Sequence, residues 1–249
     1  MYIFSSDIHG TGTKWISLME KAKNKYPDAQ VVYGGDYIDG RKESKKTLDY
    51  IMNDKNAIVL RGNHEQMMLD FIGAGDDLWY YNGAKSTVKS LFGRGYSRNV
   101  AMHKLINSSY YDFISQTRMV YETKNIIFVH AGYPLEGQQY EMNDYLWVRE
   151  TYWYRPNNSN DFNIFSHNTT NKTIVTGHTP TCLISGKYEN NVKPPEEKQH
   201  NTDCPVKVIQ YPNEKPRIFT DNGCHSQMDG HYGNVVILDD NGNLIDVIN

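Results

Sequence analysis

Apolar and polar positions in this chain follow two periods. Short β-branched, apolar runs recur at Tyr2-Ile3-Phe4, Val31-Val32-Tyr33, Ala57-Ile58-Val59-Leu60, Ile126-Ile127-Phe128-Val129 and Ile174-Val175. Each is bounded by glycine or a polar cluster, the mark of a buried strand. Between the first three, apolar residues return at helical spacing. Trp15, Ile16, Leu18 and Met19 do so over 11–26, closed by Pro27, and Leu48, Ile51 and Met52 do so over 43–53. The result is β-α-β-α-β, the pattern of a layered sheet with crossover helices. Residues 66–120 keep the helical period at Met67, Met68, Phe71 and Ile72, and again at Thr87, Val88 and Leu91. This predicts a mostly helical cap inserted between two core strands. The close is β-rich: Val206–Ile209, Arg217–Phe219 and Val235–Leu238, with Asp240-Asn241-Gly242 as a hairpin turn. Residues 133–172 read as irregular, with a loop at 157–161. Residues 183–204, with Pro194-Pro195, read as a long surface excursion. The expected class is α/β to α+β, a single domain over 1–249 in which two sheets pack face to face with helices outside.

The residues just after each run matter more than the run itself. The five runs lead into Ser6-Asp7-Ile8-His9-Gly10, Gly35-Asp36-Tyr37-Ile38-Asp39-Gly40, Arg61-Gly62-Asn63-His64-Glu65, His130-Ala131-Gly132 and Gly177-His178-Thr179. Residues just past a strand lie at its carboxyl end, where open α/β sheets gather ligands. Oxygen and imidazole donors without cysteine suit a divalent metal centre.

Composition narrows the field. Net charge is −3 with 22% charged residues, which gives no global case for nucleic-acid or membrane binding. Mean hydropathy is −0.67, so the core must concentrate in the strand runs. No apolar run approaches the roughly 20 residues needed to span a bilayer. The first strand begins at Tyr2 with no charged leader before it, so a cytoplasmic chain without a cleaved signal is expected. Cys182, Cys204 and Cys224 have no metal-like spacing and are expected to be thiols, a Cys182–Cys204 bridge being the alternative.

In order and wording, the five motifs resemble the phosphoprotein phosphatase branch of the calcineurin-like metallophosphoesterases. That family carries Gly-Asp-x-His-Gly, Gly-Asp-x-x-Asp-Arg-Gly, Arg-Gly-Asn-His-Glu, His-Ala-Gly and Gly-His-Thr. Leu146-Trp147-Val148-Arg149 looks like the Trp-x-Arg segment of the bacterial and phage members, and Trp79-Tyr80-Tyr81-Asn82-Gly83 with Thr87 and Ser90 looks like their cap. Ser6 replaces the first glycine, and Gly40 stands where the family has arginine, with Arg41 one step later. The resemblance implies an α/β/β/α sandwich of two mixed sheets. It implies a serine/threonine protein phosphatase, with a symmetrical diadenosine tetraphosphatase as the rival and a non-catalytic scaffold as a third reading.

It also implies a ligand set. Asp7 and His9 hold one metal, Asp36 is shared, and Asn63, His130 and His178 complete the second. The two divalent ions, manganese foremost with iron or zinc as alternatives, clamp a phosphate and generate a bridging hydroxide. His64 is the general acid, oriented by Asp39. Arg61 and Arg149 are expected to grip phosphate, since guanidinium meets phosphate bidentately. Arg41 and His225 are weaker candidates for substrate binding. An extended loop would point Arg41 away, whereas a turn at Gly40 would bring it back. Trp147 is read as packing. His103, His167, His200 and His231 are read as structural, and the Lys42–Lys46 cluster as a solvated helix start. The implied partner is a phosphoprotein or small phosphate ester. The oligomeric state is left open.

Overall fold

Three parallel strands, β1 (Tyr2–Ser5), β2 (Gln30–Tyr33) and β3 (Ile58–Val59), open the chain, linked by helices α1 (Thr13–Lys25) and α2 (Ser44–Asn53). The computed structural model describes residues 1–135, 140–154, 165–184 and 203–249, with no account of the Glu150 and Thr151 side chains. The loop signals at 157–161 and 194–198, and His200, lie outside the described residues. So does the excursion over 183–204, apart from its ends.

Five helices then run between β3 and the next strand: α3 (Asn63–Gly73), α4 (Leu78–Tyr81), α5 (Ala84–Phe92), α6 (Arg98–Ile106) and α7 (Ser109–Ser115). Strands β4 (Val120–Glu122), β5 (Ile126–Val129) and β6 (Thr173–Thr176) begin a second sheet. Helices α8 (Asp144–Trp147) and α9 (Glu150–Trp153) lie between β5 and β6. The chain closes with β7 (Lys207–Ile209), β8 (Arg217–Phe219), β9 (Val235–Leu238) and β10 (Leu244–Ile248).

The strand orders are β10-β9-β1-β2-β3 and β4-β5-β6-β8-β7. Each sheet has a parallel block, β1-β2-β3 at one edge of the first and β5-β6-β8 at the centre of the second, with antiparallel strands beside it. The two mixed five-stranded sheets flanked by helices match the expected class. Strands β4 and β10 were not legible as runs, because they are short, partly exposed edges with weak alternation. Helices α8 and α9 were read as irregular. At four residues each they are too short to show a 3.6-residue period.

Three apolar layers explain the stacking. Between the sheets lie Phe4, Val32, Phe128, Val175, Ile218 and Val236. On the outer face of the first sheet, Trp15, Leu48 and Ile51 meet Met68, Phe71 and Trp79 of the inserted helices. On the outer face of the second sheet pack Leu135, Tyr152 and Trp153. Among the described residues, no helix is long and apolar enough to cross a membrane.

Phe128 sits at the centre of the middle layer. Its ring centroid is 5.5 Å from Phe4, 5.4 Å from Tyr2 and 6.0 Å from Tyr121, so it touches both sheets. Phe128→Ala is expected to cost about 3–5 kcal/mol of unfolding free energy in a urea titration. A loss below ~1 kcal/mol would show that the sheets do not share this core.

Candidate metal centre

Both parallel blocks release their side chains at one rim. Asp7, Asp36 and Asn63 follow β1, β2 and β3, while His130, His178 and Asp221 follow β5, β6 and β8. The loops are knitted together before any side chain is considered. Asp7 N–H donates to Gly35 O at 3.0 Å, and the amides of Ile8 and His9 both donate to Asp36 O at 2.9 Å. The Glu65 carboxylate, fully buried, accepts from the amides of Asp36 at 2.7 Å, Tyr37 at 2.8 Å and Gly62 at 3.0 Å. Burial and the nearby Asp36 charge push Glu65 up to about 7.

The seam between the sheets is equally tight. Both Asp7 carboxylate oxygens accept from the His178 amide, at 2.9 and 3.0 Å. A Cβ on Gly177 would stand 1.8 Å from Asp7 Oδ2, and one on Gly62 would stand 2.1 Å from Asp36 Oδ1. Only glycine lets the backbone approach these carboxylates so closely. Five donor-bearing residues adopt left-handed backbone: Asp7 (φ 56°), His9 (46°), Asp36 (57°), Asp39 (68°) and His178 (65°). Such positions cost about 1–3 kcal/mol each and persist where the surroundings over-determine them.

The ring nitrogens sort themselves. A carbonyl only accepts, so a ring nitrogen facing one must carry the proton, and the other is left as a ligand. His9 Nδ1 faces Ile38 O at 3.2 Å and His130 Nδ1 faces Gly34 O at 2.9 Å, which leaves Nε2 of each. His178 Nε2 faces Trp147 O at 3.3 Å, which leaves its Nδ1. Asp36 Oδ2 then lies 3.6 Å from His9 Nε2 and 3.5 Å from His130 Nε2, between the two halves of the site. Two overlapping donor groups, Asp7/His9/Asp36 and Asp36/His130/His178, each hold their ligand atoms within 4.8 Å of one another. Asn63 Oδ1 is 3.0 Å from His130 Nε2 and joins the second group.

The protonation pattern fits a cation site. Burial, with the His64 charge, lowers His9 well below the usual imidazole range, and burial with Arg149 does the same to His178. Both are therefore neutral, the form that a metal ligand needs. Burial pushes Asp7 up to about 6, against the opposing charge of His130. Burial also opposes charge on His130 and Asp36, yet their mutual attraction prevails: it holds His130 up at about 10 and Asp36 well below the carboxylate range. A proton here sits among donors that a divalent cation would use. The residues present thus fit two such ions.

His64 lies beside this set but faces otherwise. Its Nδ1 is 2.7 Å from Asp39 Oδ2, and its Nε2 is left for the cavity. Burial disfavours the imidazolium, but Asp36 and Asp39 outweigh it and raise His64 to about 9. Asp39 is held in turn by Thr87 Oγ1 at 2.6 Å and Trp79 Nε1 at 2.8 Å. Those contacts give the inserted helices a concrete task that sequence reading could not assign.

The arginines divide. Arg149 lines the cavity, its Nη1 donating to His178 O and Thr179 Oγ1, both at 2.9 Å. Arg61 does not line it. Its guanidinium donates to Thr117 Oγ1, Gln66 Oε1, Ser115 O and Thr117 O, tying the end of the inserted helices to β3. The expected phosphate grip by Arg61 is therefore not carried forward, because its donors are spent on protein acceptors. Arg41 also turns away from the cavity. It donates to the carbonyls of Cys224, Met228 and His231 and lies over the Tyr232 ring. Its expected substrate contact gives way to an anchoring one, and Gly40 (φ 72°) leaves no unstrained place for a larger side chain. The loop that Arg41 holds carries His225, whose ring centroid is 4.7 Å from His9 and 5.4 Å from His64.

The cavity measures about 560 Å³. Asp221, buried at its wall and not singled out from the sequence, accepts from the Gly223 amide at 2.7 Å. Burial beside Asp7 holds its carboxyl well above the usual range. Its position past β8 was the available signal. Trp147, read as packing, lines the mouth with 37% of its surface exposed.

Glu65→Ala would leave four buried amides, those of Asp36, Tyr37, Ile38 and Gly62, without this acceptor. At roughly 1–3 kcal/mol each, a stability loss of about 4 kcal/mol or more is expected in chemical denaturation. A change under ~1 kcal/mol would mean that the Asp36 loop does not depend on this carboxylate.

Solved structures share this architecture. A putative diadenosine tetraphosphatase aligns over 99% of this chain and 92% of its own, at 17% identity and TM-score 0.54. A protein serine/threonine phosphatase from Saccharomyces cerevisiae aligns over 99% and 79%, at 15% identity and TM-score 0.55. A mutant of a cold-active protein tyrosine phosphatase aligns over 96% and 75%, at 18% identity and TM-score 0.54. At such identities the likeness is one of fold. No curated protein sequence matches the chain. The family model for calcineurin-like phosphoesterases matches residues 2–209, and with the donor set at one rim of two sheets the chain belongs to the calcineurin-like metallophosphoesterase family.

Proposed function

We propose that this chain hydrolyses phosphomonoesters with two divalent ions, manganese foremost, and that its substrate is a serine/threonine phosphoprotein. The observation behind this reading is the Asp39–His64 pair, 2.7 Å apart and set beside the paired donor groups. When bound, such a pair of ions supplies positive charge to a phosphate and acidifies water at neutral pH.

The chain's own residues do the rest. Asp7, His9, Asp36, Asn63, His130 and His178 hold the ions. Arg149 donates to a phosphate oxygen, as a planar guanidinium does. His64 delivers the proton on Nε2 to the leaving oxygen, while Asp39 stabilises the imidazolium and fixes the ring. His225 overhangs the same face and contacts the ester.

The cavity lining favours a single phosphate over a polyphosphate. Among the described lining residues Arg149 is the one arginine or lysine, and Met67, Leu78, Trp147 and Met228 make much of the mouth apolar. The two ions and Arg149 can neutralise one phosphate, whereas the further phosphates of a tetraphosphate would meet no other lysine or arginine among the described lining residues. A comparison of kcat/KM on a phosphoserine peptide and on diadenosine tetraphosphate tests this choice. Faster turnover of the dinucleotide would select the second enzyme class.

Chelation is expected to abolish activity, and manganese to restore it. Fully active protein without a transition metal on elemental analysis would end the two-metal reading. His64→Asn is expected to lower kcat by roughly 10²–10⁴-fold with metal content unchanged, and by less for aryl phosphates with good leaving groups. Loss of metal in this variant would make His64 a ligand instead. Arg149→Ala is expected to raise KM for an aryl phosphate about tenfold or more, some 1.4 kcal/mol. An unchanged KM would remove Arg149 from the phosphate site.

A further inference from the structure

A third donor group lies at this rim, and its composition differs from the other two. His9, His64 and His225 hold their ligand nitrogens within 4.8 Å of one another. Their ring centroids form a triangle of 4.7, 4.7 and 5.4 Å. The two groups that hold the proposed catalytic ions both contain the Asp36 carboxylate, whereas this one is all imidazole. It shares His9 with the Asp7/His9/Asp36 group.

Two of the three rings are already oriented. His9 is fixed by Ile38 O at 3.2 Å and His64 by Asp39 at 2.7 Å, in both cases through Nδ1. Metal-binding histidines are oriented in this way, by a carbonyl or carboxylate on the nitrogen that does not ligate. His225 is exposed and stands on a short loop whose carbonyls are held by Arg41. Zinc–nitrogen bonds of about 2.0–2.1 Å in tetrahedral geometry set neighbouring nitrogens roughly 3.4 Å apart. From 4.8 Å or less, that requires only a modest inward movement, and the exposed His225 is the ring able to make it.

We infer that His225, His64 and His9 form an inhibitory zinc site that competes with the catalytic arrangement. Ion chemistry decides which arrangement forms. The catalytic groups mix carboxylate and amide oxygens with imidazoles, a set that accepts manganese, while three imidazoles without a carboxylate favour zinc. An ion on the three rings occupies His64 Nε2, the nitrogen from which the leaving oxygen takes its proton. It also withdraws His9 from the carboxylate group. No bond in a substrate is made or broken; the effect is one of coordination. The inference rests on the metal-centre reading, and it adds a role for His225 that substrate contact does not require.

The test adds Zn²⁺ to the manganese-loaded full chain and locates the zinc by anomalous scattering at its absorption edge. Zinc is expected within bonding distance of His225 and His64 nitrogens. Inhibition, read against each variant's own zinc-free rate, is expected to need at least tenfold more zinc in His225→Ala. His225→Cys, which returns a zinc-binding side chain, is expected to recover most of that sensitivity. Zinc found only among the carboxylate groups, or equal zinc sensitivity in wild type and His225→Ala, would overturn the inference. The scattering experiment needs no turnover, so a chain inactive on every phosphate ester would fail the functional reading and still decide this one.

Discussion

The Asp7 carboxylate, receiving the His178 amide on both oxygens across the seam between two sheets, is the contact on which the rest of the rim depends. It joins the loop after β1 to the loop after β6, and so sets the distance between the two halves of the candidate metal centre. The neighbouring contact of His130 Nδ1 with Gly34 O does the same for β5 and β2. Both need backbone without side chains close by, which is why a Cβ on Gly177 or Gly62 would collide with a carboxylate. Left-handed conformations at Asp7, His9, Asp36, Asp39 and His178 arise from the same crowding. Local strain is tolerated because the inter-sheet core and the buried Glu65 carboxylate hold both ends of each turn.

Charge is dictated by that geometry. Burying Asp7, Asp36, Asp39, Glu65 and Asp221 near one point is costly unless protons, hydrogen bonds or cations compensate. Amides serve Glu65, and Thr87 with Trp79 serve Asp39. For Asp36 the partners are the His64 amide and two imidazoles, and the imidazoles are groups that exchange a proton for a metal ion. The inserted helices are thus more than a cover. Through Trp79 and Thr87 they fix the carboxylate that fixes His64.

The arginines show where reading residues in order falls short. Arg61 sits inside the Arg-Gly-Asn-His-Glu motif, yet the chain direction at Leu60–Arg61 sends its guanidinium toward Ser115 and Thr117, partners more than fifty residues away. Arg41 comes after a glycine in left-handed conformation, and its side chain meets carbonyls of a loop nearly two hundred residues later. Neither destination is encoded by neighbours in sequence. Arg149, by contrast, precedes its acceptors by about thirty residues, and those acceptors belong to the His178 loop itself.

By itself the sequence determined the strand runs, the first two crossover helices, and the placing of aspartate, histidine and asparagine at strand ends. Period-2 and period-3.6 patterns are local and survive without knowledge of the fold. It also determined the family motifs and their order. Tertiary structure alone decided which ring nitrogen of each histidine is left to ligate, since a carbonyl from another strand fixes the tautomer. It decided that Asp221 and His225 share the cavity and that Arg61 and Arg41 do not. It decided the edge strands β4 and β10, which gain their order from pairing rather than from their own pattern. The physical reason is the same in each case: hydrogen-bond partners and side-chain directions across a packed interface are set by distant chain segments, and no local period records them.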